Sequence, residues 1–132
     1  MHQTSPAELF IAYAAKDRLW AERLNAALRE AGIHTWMDAD LRPGEPWKEI
    51  TEQALRDCDT MVIILTVDSV SSPWAMFELG AAVAGNKRII PLLPEPLDRS
   101  AMPPLIGRYR FLEETSPVEA ARRLAEVIAE PA

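Results

Sequence analysis

Apolar runs alternate with amphipathic stretches along almost the whole chain. Leu9-Phe10-Ile11-Ala12-Tyr13 is an unbroken apolar run of strand length. Trp20, Leu24, Ala27, Leu28 and Ala31 then recur at helical spacing, with Asp17 placed to cap that helix and Gly32 to stop it. Ile33 to Met37 reads as a short strand. Asp38 to Pro46, with Pro43, Gly44 and Pro46, is loop chemistry. A second helix is predicted from about Pro46 to Asp57, with the stripe Trp47, Ile50, Ala54, Leu55 and Cys58. Thr60 to Leu65 is nearly all apolar, as a central strand buried on both faces should be. A loop over Thr66 to Ser72 leads into a third helix, with Ser72 as its cap and Pro73 in its first turn. Lys87 to Leu92 reads as a fourth strand. The prolines at 91, 94, 96, 103 and 104 then call for an irregular connection or one short helix. Gly107 to Leu112 alternates and reads as a fifth, edge strand. Ser116-Pro117-Val118-Glu119 is a capping box for a last helix with the stripe Val118, Ala121, Leu124, Ala125 and Ile128.

This alternation of strands and helices implies an α/β domain: a flavodoxin-like, five-stranded parallel sheet of order 2-1-3-4-5 with helices on both faces. A chain of 132 residues is the size of one domain, so residues 1–132 are read as a single unit. Ligands of such sheets bind beyond the carboxyl ends of the strands, where the winding reverses. Here that crevice falls between Ala14 to Asp17 and Thr66 to Ser72, and the third helix rises from it.

Composition narrows the possibilities. A net charge of −6 without a basic stripe argues against direct nucleic-acid binding and against an anionic membrane surface. There is no apolar run long enough to span a bilayer, and Met1 to Glu8 carries no signal-peptide core. One cysteine, Cys58, forbids an internal disulfide and fits a reducing, cytoplasmic setting. With His2 and His34 as the only histidines, no zinc site and no resident metal are expected.

The chemistry concentrates at one position. Glu78 is the only charged side chain between Asp68 and Lys87. With Ser72 as cap it falls in the second helical turn, near the crevice mouth, and Trp74 lies four residues before it on the same face. A carboxylate among apolar walls is desolvated, which raises its pKa and strengthens its field. Glutamate is also a good helix former, and a lone Glu on an apolar helix equally marks a solvent face, with Trp74 at the rim.

Four segments carry a family resemblance. Leu9-Phe10-Ile11-Ala12-Tyr13 followed by Asp17 resembles the opening strand of TIR (Toll/interleukin-1 receptor-like) domains. Trp36-Met37-Asp38 with Leu41-Arg42-Pro43-Gly44 resembles their second strand and BB loop. Ser71-Ser72-Pro73-Trp74-Ala75-Met76-Phe77-Glu78-Leu79 resembles their Trp-x-x-x-Glu segment, and Lys87 to Leu92 the strand that follows. The similarity covers about residues 7–128. Some members of the family are adaptors that act by homotypic assembly. Others, many of them bacterial, cleave NAD⁺ to nicotinamide plus ADP-ribose or a cyclic isomer. In the enzymatic class the Glu of Trp-x-x-x-Glu is catalytic, which here is Glu78.

The resemblance implies that NAD⁺ is the substrate, that no cofactor is needed, and that Tyr13, Ala14 and Trp36 line the pocket. Ordinary core packing is the competing reading of Trp36. Trp74 is placed to stack on a ring of the substrate, or else to pack its helix. Ser69, Ser71 and Ser72 at a helix start are placed to hold a phosphate, with plain capping the better reading of Ser72. Arg42 could reach the diphosphate or a neighbouring subunit, or simply be a solvated loop residue. Ala12, Ala14 and Ala15 replace more polar family residues, so fewer side chains near the first strand can grip a substrate. The expected partners are other TIR domains, met through the BB loop (Asp38 to Pro46), and a fused or separately encoded sensor in immune or stress signalling. A non-catalytic TIR scaffold is the alternative. A response-regulator receiver would need acidic clusters where Tyr13-Ala14 and Leu65-Thr66 stand, and a nucleoside deoxyribosyltransferase-like enzyme would turn over nucleosides rather than NAD⁺.

Overall fold

The sheet is parallel throughout, in the order β2-β1-β3-β4-β5. Its strands are β1 (Leu9–Ala12), β2 (Thr35–Trp36), β3 (Thr60–Ile64), β4 (Arg88–Leu93) and β5 (Leu112–Glu113). The computed structural model describes residues 9–38 and 43–129. β1 sits between β2 and β3, with Phe10 in register with both Trp36 and Met61. The five helices are α1 (Arg18–Glu30), α2 (Trp47–Asp57), α3 (Val67–Val70), α4 (Pro73–Ala84) and α5 (Pro117–Ala129).

Strand alternation sorts the core into two layers. Leu9, Ile11, Val62, Ile64 and Leu92 point to the face covered by Leu24 and Leu28 of α1 and Leu124 of α5. Phe10, Ala12, Met61, Ile63 and Leu93 point to the other, against Ala54 and Leu55 of α2 and Leu79 and Ala82 of α4. Both faces of β1 and β3 are covered, which is why their sequences read as continuous apolar runs.

Several local expectations hold and several do not. Ser72 caps α4 by accepting from the Ala75 backbone N–H at 3.2 Å, with Pro73 in the first turn. Gly32 takes the positive φ of +86° that ends α1. Asp17 does not cap α1. Its side chain instead accepts from the Thr66 hydroxyl at 2.5 Å, tying the loop after β1 to the loop after β3. The Ser116 box is half formed: Ser116 Oγ accepts from Glu119 N at 3.2 Å, but the reciprocal acceptor for Ser116 N is Glu114, while Glu119 pairs with Arg122.

The predicted strand over Gly107 to Leu112 is a correction. Pro104–Arg108 is a 3₁₀ turn that buries Ile106, and β5 begins only at Leu112. Pro103 and Pro104 supply no amide donors and hold φ near −61° at Pro103, which suits a turn start and not a ladder. Part of each helical stripe also lies outside the core: Trp47 is 54% and Val118 64% exposed.

Candidate active site

The loops after β1 and β3 arise where the winding reverses, and a crevice of about 490 Å³ lies there. Tyr13, Ala15 and Arg18 line it from the end of β1 and the start of α1. Asp38 and Trp47 line it from the BB-loop side, and Ser72 and Trp74 from the start of α4.

Glu78 is 3% exposed, which removes the reading of it as a solvent-face residue. The Ser72 cap and Pro73 start α4 at a fixed point, so Trp74 falls on the crevice wall and Glu78 one turn behind it. Burial pushes Glu78 up to about 9, the negative charge of Asp38 adds to that, and the polar indole of Trp74 opposes it. Ligand-free and near neutral pH, Glu78 is therefore a buried, protonated acid.

Tyr13 is buried at the end of β1, and its hydroxyl donates to Asp38 Oδ1. Burial, and then this bond, hold the phenol well above its ordinary pKa, so it stays a donor. Trp74 meets Trp47 edge-on at 4.8 Å and stacks on Phe77 at 5.2 Å. Such aromatic pairs are worth about 0.5–1.5 kcal/mol beyond their buried area. They hold Trp74 in place and present ring surface to the crevice.

The other sequence candidates are placed differently. Ala14 is buried, with its carbonyl bonded to Asp17 N at 2.8 Å, and the neighbouring Ala15 lines the crevice instead. Trp36 stacks on Phe10 at 4.9 Å and packs against the α2/α4 layer of the core. Ser69 is fully buried in a capping box: its Oγ accepts from Thr66 N at 2.9 Å, and its own N–H donates to Thr66 Oγ1 at 3.1 Å. A hydroxyl so engaged has no free geometry for a phosphate. Arg42, and with it most of the first half of the BB loop, lies outside the described residues. Among the described residues no cluster of His, Cys, Asp and Glu is arranged to hold a metal ion, and no helix is long and apolar enough to cross a membrane.

Asp38, Arg18 and Trp47 are the site residues that sequence reasoning missed. Asp38 was visible only as part of a motif in an acidic loop, and Trp47 only as a member of a helical stripe. Their shared crevice depends on contacts distant in sequence, such as Tyr13 with Asp38.

A doubly wound α/β domain carries here one buried carboxyl behind an aromatic-lined crevice at the point where the winding reverses. The chain belongs to the TIR domain family, whose sequence model matches residues 9–125. It is 26% identical over 131 residues to the 2′ cyclic ADP-D-ribose synthase AbTIR of Acinetobacter baumannii, covering 92% of this chain and 49% of that protein. Over 88 residues it is 32% identical to the probable 2′ cyclic ADP-D-ribose synthase BdTIR of Brachypodium distachyon, covering 64% of this chain and 39% of that one. The chain thus spans half or less of the length of these curated relatives. The TIR domain of the Toll-related receptor TRR-2 from Hydra magnipapillata superposes with a TM-score of 0.79 at 23% identity, over 94% of this chain and 99% of the other. That last likeness is one of fold.

Proposed function

We propose that this TIR domain cleaves the nicotinamide–ribose bond of NAD⁺, with Glu78 as the catalytic carboxylate. The observation that carries the reading is the burial of Glu78 behind Trp74, a crevice-lining residue one turn before it on α4. The names of the two curated relatives support the substrate and favour a cyclic ADP-ribose as product.

The chemistry suits a single carboxyl. The pyridinium ring of NAD⁺ leaves as neutral nicotinamide, taking the electron pair of the C1′–N bond. No general acid is needed, unlike cleavage of a glycosidic oxygen. Positive charge develops on the ribose, and an anion at that point stabilises it. Arrival of the cationic ring favours the ionised form of Glu78, so binding itself drives off the proton. The ribose reaches Glu78 past Trp74, which lines the crevice and turns a ring face to the substrate. Attack by water on C1′ then gives ADP-ribose. Attack by an atom of the same molecule's adenosine gives a cyclic form, with the proton of the attacking group passing to Glu78 or to solvent.

In this reading NAD⁺ is substrate and no separate cofactor takes part. The diphosphate is met by Arg18 at the crevice, with Arg42 of the BB loop a second candidate from its place in the sequence. Other TIR domains are the partners, met through Asp38 to Pro46, and a sensor within a longer protein or beside it drives assembly in a cytoplasmic immune or stress response.

The test is to follow nicotinamide and the adenine-containing product by chromatography under crowding, for the wild type and Glu78→Gln. The wild type should release nicotinamide, and the variant about 100-fold less or lower still, as when one electrostatic stabiliser is removed. No release by a protein that demonstrably self-associates would leave the scaffold reading. Equal release by both would remove Glu78 from the mechanism.

A further inference from the structure

We infer that Asp38, held by Tyr13, is the residue that selects the charge of the ring entering the crevice, admitting the oxidised dinucleotide and disfavouring the reduced one. The inference rests on the proposed NAD⁺ reaction and adds a specificity determinant to it.

Asp38 follows β2 directly, after the buried Met37. One carboxylate oxygen, Oδ1, accepts from the Tyr13 hydroxyl, and Tyr13 is itself buried at the end of β1. The bond joins the ends of two neighbouring strands, so Asp38 is positioned by the sheet and not by its loop. Its side chain is half-buried and lines the crevice.

The other charges at the crevice complete the pattern. Arg18 lines it too, but its guanidinium is exposed and bonded to Glu22 at 3.0 Å. Glu78 lies behind Trp74 and feels the charge of Asp38. Two carboxyls thus share the crevice with the cation Arg18, which feels the charge of Asp38 from the start of α1 but is engaged by Glu22. Trp47 and Trp74 line the same crevice, and indole faces attract cations. A planar cation fits beside the carboxyls, and the diphosphate belongs toward the exposed guanidinium of Arg18.

The reduced dinucleotide has nearly the same size and the same phosphates, but its ring is neutral. Shape cannot separate the two forms, whereas a fixed anion in a partly desolvated crevice can. Asp38→Asn keeps the volume and can still accept from Tyr13, so it removes the charge alone.

The experiment titrates NAD⁺ and NADH separately into full-length Glu78→Gln, which retains NAD⁺ uncleaved, and into Glu78→Gln/Asp38→Asn, under the crowding used for turnover. NAD⁺ should bind the parent more tightly than NADH. Asp38→Asn should weaken NAD⁺ about tenfold, equivalent to about 1.4 kcal/mol, and leave NADH nearly unchanged. Tyr13→Phe in the same background keeps the carboxylate but frees it, and should lose part of the preference. An unchanged ratio of the two affinities, equal weakening of both ligands in a variant with native circular dichroism, or no NAD⁺ binding to the parent overturns the inference. Nicotinamide release by the wild type is read separately. Turnover with an unchanged ratio sinks only the role of Asp38, whereas charge selection without turnover sinks the proposed reaction.

Discussion

Burial favours the neutral form of Glu78 in the free protein, and the proposed reaction needs it as an anion. Its pKa rises from 4.5 to about 9 on folding, so between those values the native state holds a proton that the unfolded chain has lost. Stability from this group is therefore full below about pH 4.5 and declines as pH rises toward 9. Glu78→Gln removes that dependence. Denaturant melts at several pH values should show the variant gaining on the wild type by at most about 1.4 kcal/mol per pH unit across the window. In the proposed reaction the same proton governs turnover: kcat/KM for NAD⁺ reports the free enzyme, so it should climb through pH 7 to 9, while the limb in kcat lies lower because the bound cation favours ionisation. A flat kcat/KM profile over that range would count against Glu78 as the ionising group. Glu78 was legible as one charge in an apolar helix, but its burial was not, because the pattern fits a solvent face equally well. Asp38 was less legible still, since nothing local in Asp38-Ala39-Asp40 separates a site carboxylate from a solvated one. Its partner Tyr13 lies across the β1–β2 turnaround.

At the scale of elements, helices and strands with a clear period were readable and the short connections were not. α3 has only four residues, too few to show a helical repeat, and its signature is the Thr66/Ser69 box with serine in place of the usual Glu or Gln. The alternation of Arg108, Tyr109, Arg110 and Phe111 imitates a strand, but Pro103 and Pro104 start a 3₁₀ segment that takes in Gly107 and Arg108. The box matters because Thr66 also donates to Asp17, so one hydroxyl joins the two loops that frame the crevice. Ser69→Ala should cost about 1–2 kcal/mol in a urea titration, through loss of the reciprocal half of the capping box, which leaves the Thr66 N–H unsatisfied. If Ser69 acted chiefly on the phosphates, the substitution would instead lower turnover with stability unchanged.

For the molecule as a whole, stability and function rest on separable parts. The sheet and its two helical layers supply the core. Leu24→Ala, at a fully buried position, should cost about 2–5 kcal/mol in thermal or chemical unfolding. Trp47 is half in solvent and meets Trp74 edge-on. Trp47→Ala should cost no more than about 1.5 kcal/mol yet raise KM for NAD⁺, since it removes ring surface from the crevice. The overall fold was legible because each layer imposes its own periodicity on the sequence, whereas the crevice is a product of the folded loops and so was only located, not furnished, from the chain. The paired indoles have a further consequence, which is optical. Two of the four tryptophans, Trp47 and Trp74, sit at the mouth of the site, while Trp36 is stacked inside on Phe10 and Trp20 is tied to the Thr115 carbonyl at 3.1 Å. Their emission should respond to what enters. An oxidised nicotinamide ring bound as proposed would quench it, and a reduced one, which absorbs where indoles emit, would take up the excitation and glow in turn, giving a two-colour readout of the redox state of whatever dinucleotide binds.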